Sequence, residues 1–407
     1  MSAQNLPYNR KPFVGSARWL ALTFLAPSVA WAELELVPFG SAQYEHHSNI
    51  FEVSGPNEAQ QQRGESKRAD SVWQGRAGLE ASYVAGQQKL EVNGEARKLK
   101  YQHFDDLDHD EYSYGGKFSW RLGSTVAGNV AYQQDRKLAS FADLDTSELT
   151  QQTERRASAM LGYDVTPSWR IEAGAGHNQS KLPLPDDPEF KLQDSNASLE
   201  LKYHNQGRWA TGLLGEVRDG SYSGNEEHER DFKEGTVQLT ADYFVSDLST
   251  LRMKVGATQR KEDAGNDGED GDDGTVSGFT GSFAYGRTIS AKTAVDIEIF
   301  RRVDSYIAGA NALIATGGST SLNWKPTPTL SLAARYEYTR SSFESDGDTE
   351  DAGRSDRYSG ATLELSYEVL RWLTLRPYAG YRNRESSLDT ESFEDVITGA
   401  ELRARFY

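Results

Sequence analysis

Trp169-Arg170-Ile171-Glu172-Ala173-Gly174-Ala175-Gly176-His177 alternates with a period of two. Trp169, Ile171, Ala173 and Ala175 fall on one side; Arg170, Glu172, Gly174 and Gly176 fall on the other. Successive side chains of a strand point to opposite faces, so this run predicts a β-strand with one apolar and one polar face. The pattern recurs along the chain. Leu251, Met253, Val255 and Ala257 alternate with Arg252, Lys254, Gly256 and Thr258. Ala361, Leu363, Leu365 and Tyr367 alternate with Thr362, Glu364, Ser366 and Glu368. Leu373, Leu375, Pro377, Ala379 and Tyr381 alternate with Thr374, Arg376, Tyr378, Gly380 and Arg382. No segment beyond the N-terminal region carries a convincing helical period.

The breaks between these runs are ordered too. Short turn signals fall at 85–88, 122–124, 166–168, 206–208, 246–249, 289–291, 326–328 and 370–372. Longer polar stretches fall between them, at 48–70, 105–110, 138–152, 183–193, 223–231, 263–275, 307–311, 344–356 and 386–391. Short and long connections strictly alternate, and together they link 18 strands. An even strand number, with short turns at one end and long loops at the other, predicts an all-β fold: a transmembrane antiparallel up-and-down β-barrel with a water-filled lumen. Aromatic residues near strand ends (Trp73, Tyr83, Trp120, Trp169, Trp209, Trp324, Tyr381) fit interfacial girdles.

Composition agrees and excludes other classes. The chain has 407 residues, no cysteine and a net charge of −17. Its mean hydropathy of −0.68 excludes a bundle of transmembrane helices. A barrel escapes that exclusion because it shows lipid only every second residue. The acidic balance argues against a nucleic-acid partner, which needs a basic surface. Without cysteine there is no disulfide scaffold, thiolate metal site or cysteine nucleophile.

Arg10, Lys11 and Arg18 precede a short apolar run that ends in Ala30-Trp31-Ala32. This is the pattern of a secretory signal peptide over 1–32, cleaved near Ala32. Residues 33–407 are then one barrel domain in a Gram-negative outer membrane. The leader takes three of the 44 basic residues and none of the 61 acidic ones, so the remainder carries −20. At the other end, Val396, Thr398, Ala400, Leu402, Ala404 and Phe406 alternate with Asp395, Gly399, Glu401, Arg403 and Arg405, and Tyr407 follows one step beyond. A last strand ending in aromatic residues resembles the signal read by the barrel-assembly machinery, an expected partner alongside outer-membrane lipid and lipopolysaccharide.

The inward-facing positions carry both charge signs. Lumen-lining candidates are Arg170, Glu172, Arg218, Arg252, Lys254, Glu298, Arg335, Glu337, Arg376 and Arg382, with Arg208 among further basic positions. So many charges need water or each other, which predicts a wet lumen. The acidic surplus falls in long loops, notably 263–274 and 346–351. A catalytic set is absent from the reading, and no enzyme activity or cofactor is expected. His177 is near Asn178 and Ser180 in sequence, but alternation puts it on the opposite face from both. His46 and His47 have no evident third metal ligand, so no metal site is expected.

Three segments resemble outer-membrane β-barrel proteins encoded in exopolysaccharide operons, the EpsL-type branch of the β-barrel porin group. They are Tyr44-Glu45-His46-His47-Ser48-Asn49-Ile50-Phe51, Tyr101–Asp108, and Leu138–Leu144 followed by Thr153–Tyr163. The family usually has Asp where His47 stands. The resemblance implies a role in exopolysaccharide export, with the polymer and periplasmic export components as partners. It carries over Ser48, Asn49, Phe51, Phe141, Asp143 and Asp145 as loop positions of interest. Strand count alone leaves a diffusion porin for small solutes as the alternative. Loop 48–70 is the expected constriction or lid.

Overall fold

The computed structural model describes residues 32–144, 147–183, 189–205, 207–224, 229–263, 274–306, 311–344 and 353–406. Residues 1–31 of the expected signal peptide and the acidic stretches at 264–273 and 346–351 lie outside them, as does Tyr407.

Eighteen antiparallel strands follow one another around the barrel wall: β1 (Ala32–His47), β2 (Asp70–Ala85), β3 (Gln88–Tyr101), β4 (His109–Leu122), β5 (Val126–Leu138), β6 (Gln151–Thr166), β7 (Trp169–Leu182), β8 (Phe190–His204) and β9 (Trp209–Ser223), then β10 (Arg230–Ser246), β11 (Ser249–Asp263), β12 (Gly274–Ser290), β13 (Thr293–Tyr306), β14 (Asn311–Trp324), β15 (Leu330–Glu344), β16 (Ser355–Leu370), β17 (Leu373–Ser386) and β18 (Phe393–Arg405). Each pairs with its sequence neighbours, and β1 pairs with both β2 and β18, which closes the ring. Closure removes the edges that an open sheet leaves unpaired in lipid. This is the architecture of Gram-negative outer-membrane barrels.

The short connections have local causes. Gly86 and Gly123 take φ +61°, the left-handed conformation that tight hairpins require. Elsewhere a hydroxyl closes the turn. Thr166 Oγ1 accepts from the backbone N–H of Trp169, and Ser246 and Ser290 accept from the N–H groups of Leu248 and Lys292. The ladder register shifts by one residue beside each of these three turns.

One face of every strand presents exposed apolar side chains, among them Leu79, Leu199, Val237, Leu239, Phe279, Ile299 and Leu363. Only lipid covers such a belt favourably. Trp169, Tyr203 and Trp209 pack against one another at the turn end, and Phe406 stacks on Trp372 there. Nearer the loop end, the Tyr114 and Tyr132 hydroxyls donate to Gln134 on the outer face, and the Gln134 amide donates to Tyr112.

Strands of 13 to 17 residues are taller than the belt requires. At about 3.3 Å per residue and a tilt of about 40°, they stand roughly 33–43 Å high, against an apolar band of about 25 Å. The surplus lies at the loop end, where the outward positions become polar: His46, Lys98, Lys100, Asp110, Arg155, His177 and Asp219 are exposed there. The wall therefore rises clear of the membrane and carries its long loops above it.

Candidate functional site: a loop roof across the mouth

The long loop after β1 does not project outward. Ser48 and Asn49 begin it. The Asn49 backbone N–H and the Ser48 hydroxyl both donate to Asp395 Oδ1 on β18, at 3.0 and 3.2 Å. The Asn49 amide donates to the carbonyls of Val53 and Glu394 and accepts from the Val53 N–H, which turns the chain back on itself. A short helix, α1 (Pro56–Arg63), follows and ends on Gly64 at φ +75°.

Three loops then share one apolar core. Ile50, Phe51 and Val53 from the β1–β2 loop pack with Phe104 and Leu107 from the β3–β4 loop and Phe141 from the β5–β6 loop. The Phe51 ring meets Phe104 edge-on at 4.6 Å and Phe141 at 5.4 Å. Arg63 lies over both Phe51 and Phe104, pairs with Asp106 at 2.6 Å and donates to the Ser147 carbonyl. A core of this kind, seated on Val72 of β2 and Tyr101 of β3, gives the loops a fixed shape.

Charged contacts tie this core to the far wall. Glu52 is buried, and it is the one non-glycine with positive φ (+54°) among the described residues. Such a conformation costs on the order of 1 kcal/mol and persists where its surroundings impose it. Its carboxylate accepts from Ser140 Oγ at 2.5 Å and Ala142 N at 3.2 Å, and pairs with Arg382 of β17 at 2.6 Å. Arg384 of β17 donates to the Ala142 carbonyl. β17 and β5 lie six steps apart in a ring of 18. Contacts from β17 to the β5–β6 loop therefore follow a chord across the mouth.

Beneath the chord, Arg382 also pairs with Asp395 at 2.8 Å, and His47 sits between Asp395 (2.8 Å) and Glu45 (2.5 Å). Tyr378 donates to Glu45. The ion-paired side chain of Asp395 is fully buried. This Glu45–His47–Asp395–Arg382–Glu52 chain latches the roof to β1, β17 and β18.

The lumen candidates spread around the ring. Arg382 belongs to the latch. Arg170 pairs with Glu172 and Asp164, and Lys202 approaches Glu172 and Glu200, all near the turn end. Arg218 grips Asp194 with two nitrogens at 3.0 Å. Arg376 pairs with Glu401, and Arg335 with Glu337. Arg252, Lys254 and Glu298 make no ion pair with a described residue. Arg208 directly precedes β9 in the β8–β9 turn, where Asn205 Oδ1 accepts from the N–H groups of Gly207 and Trp209; the Arg208 carbonyl accepts from the Phe244 N–H and its guanidinium donates to the Val245 carbonyl.

Of the loop positions, Ser48, Asn49, Phe51 and Phe141 come together in the roof. Asp143 closes a 3-10 turn, Phe141–Asp143, and Asp145 lies outside the described residues. The pairing of Glu52 with Arg382, and of His47 with Asp395, escaped the sequence reading. The only signal was that Glu52 follows the flagged Ser48–Phe51 stretch directly. His46 and His47 diverge, His46 bonding Ser71 on the outer side, and among the described residues no cluster of His, Asp or Glu is arranged to hold a metal. His177 bonds Ser195, whereas Asn178 bonds Asp194 and Ser180 accepts from Gln152 on the other face.

No protein-family model matches the chain, and no characterised relative matches it. Solved structures do. The Pseudomonas aeruginosa outer-membrane protein OccK2 (OpdF), in complex with glucuronate, aligns over 92% of this chain and 99% of its own at 12% identity and a TM-score of 0.46. OpdK of the same organism, solved with vanillate, aligns over 91% and 99% at 11% identity and 0.44. The FrpB iron transporter of Neisseria meningitidis (F5-1 variant, apoprotein form) aligns over 90% and 81% at 10% identity and 0.49.

Proposed function

We propose that this chain is an outer-membrane conduit for a polar polymer, an exopolysaccharide, and that its roofed mouth is the controlled end of the path. The observation that carries the reading is the inner wall. It lines an 18-strand ring with arginine, lysine, aspartate and glutamate side chains, many already paired, so it stays hydrated without a strong net bias for one ion sign. A polyhydroxylated chain passing such a surface exchanges water hydrogen bonds for equivalent ones. The resemblance of the Tyr44–Phe51, Tyr101–Asp108 and Leu138–Tyr163 segments to exopolysaccharide-operon barrels supplies the solute class, and those segments build or flank the roof.

Deleting the gene is expected to abolish extracellular polymer while lipid-linked intermediates persist or accumulate. Undiminished polymer outside the deletion strain would overturn the reading. A diffusion porin is the second reading, favoured by Arg252, Lys254 and Glu298, which face the lumen without ion partners among the described residues. It predicts normal export in that strain and reduced uptake of small solutes.

A further inference from the structure

A cavity of about 520 Å³ lies directly under the roof, between the inner faces of β1–β3 and the loop core. Its volume falls within the roughly 300–1,000 Å³ of small-ligand sites. Its floor is a row of polar groups set by strand register. Gln43 of β1 lies directly opposite Gln74 of β2, and Tyr101 of β3 lies opposite Val72, one same-face position from Gln74. Gln43 is engaged, donating to Glu45 and to the Tyr378 hydroxyl. Gln74 is not: its amide nitrogen is buried and has no hydrogen-bond partner. The Tyr101 ring is buried beside it and lines the same cavity. A buried donor left unmade costs about 1–3 kcal/mol, so the unengaged Gln74 amide on a cavity floor marks a place that a ligand completes.

The opposite side is apolar. Ile50 and Phe141 descend from the roof, and Leu99 rises from β3. Glu52 and Arg382 border the space but are consumed by the latch. An amide and a phenol facing aliphatic and aromatic carbon, with no uncommitted charge at the centre, suit a neutral ring that has hydroxyls on its edge and C–H groups on its face.

We propose that this cavity binds one or two pyranose units of a saccharide, with Gln74 and Tyr101 bonding ring hydroxyls and Phe141 and Ile50 covering the C–H face. The choice of saccharide rests on the conduit reading; the existence of the site rests on the cavity and its unengaged Gln74 amide. Occupancy adds a ligand to the underside of the roof core, so the bound saccharide and the closed roof stabilise each other.

The test uses the full-length purified barrel in detergent and oligosaccharides of two to six units released from the host's own exopolysaccharide by mild acid. Binding is read by saturation-transfer NMR and calorimetry, with maltohexaose as the comparison saccharide. The expected result is saturable binding of the host fragments that falls at least tenfold in Gln74→Leu and in Tyr101→Phe. Folded-barrel migration on unheated gels reports that each variant has assembled. Tyr101→Phe removes one oxygen and keeps the packing, so its loss of binding cannot be laid to misfolding. Binding that survives both substitutions overturns the proposal and leaves the conduit standing. No binding by the wild type also overturns it, and the deletion phenotype then decides the conduit reading separately. Equal binding of maltohexaose and host fragments keeps the site and removes its selectivity for the host polymer.

Discussion

Replacing residues 50–66 with a short Gly-Ser link is expected to raise the single-channel conductance of the barrel in planar bilayers roughly twofold or more. No strand ladder of the barrel wall runs through this segment. The wall is closed by strand ladders from β1 to β18, and lumen width follows strand number. The segment carries Ile50, Phe51, Glu52, Val53 and α1, which hold the loops in place across the mouth. Without Phe51 the rings of Phe104 and Phe141 lose their common partner. Without Glu52 the β5–β6 loop loses the carboxylate that holds Ser140 and Ala142. The chord then opens and the conducting cross-section grows. Unchanged conductance in the excised protein would show that the roof lies to one side of the ion path.

Asp395→Ala is expected to release the roof while leaving the barrel folded. Asp395 is fully buried and serves four partners: His47, Arg382, the Ser48 hydroxyl and the Asn49 N–H. Removing one member of a buried charged set costs about 3–5 kcal/mol, because the others stay desolvated and uncompensated. The cost falls on the loop's attachment, since the β17–β18 and β1–β18 ladders run through the backbone. At about 1.4 kcal/mol per decade, 3 kcal/mol corresponds to opening more than a hundredfold more frequent. Hydrogen exchange over residues 49–64 and limited proteolysis within the same loop measure it directly. Asp395→Asn keeps the shape and part of the hydrogen bonding and should fall between alanine and wild type. If residues 49–64 stay equally protected in Asp395→Ala, the latch does not hold the roof.

The barrel was legible in the sequence because its determinants are local. Lipid on one side and water on the other impose a period of two, and runs such as Leu251–Thr258 and Trp169–Gly176 display it residue by residue. Turns are equally local, since Gly86, Thr166 and Ser246 act within three residues of themselves. Alternation also put Arg170, Arg218 and Arg382 on the polar face. It was silent on which partners they meet. Asp395 reaches His47 across 348 positions, through a closure between β1 and β18 whose register no local pattern encodes. The roof lies between these cases. Phe51 and Phe141 were each picked out within separate loops, but their contact depends on two loops folding over the same arc of wall. Glu52 was invisible for another reason: the partners of its carboxylate, Ser140, Ala142 and Arg382, are all distant in sequence.

The proposed conduit requires that a polar polymer travel through this charged lumen. The most direct measurement is the current through the purified full-length protein in a planar bilayer, with the host's exopolysaccharide fragments added to one side. A conduit gives an open-channel current interrupted by blockades whose frequency rises with fragment concentration and whose duration rises with fragment length. A steady current that the fragments never interrupt, or no current at all from folded protein, would contradict it.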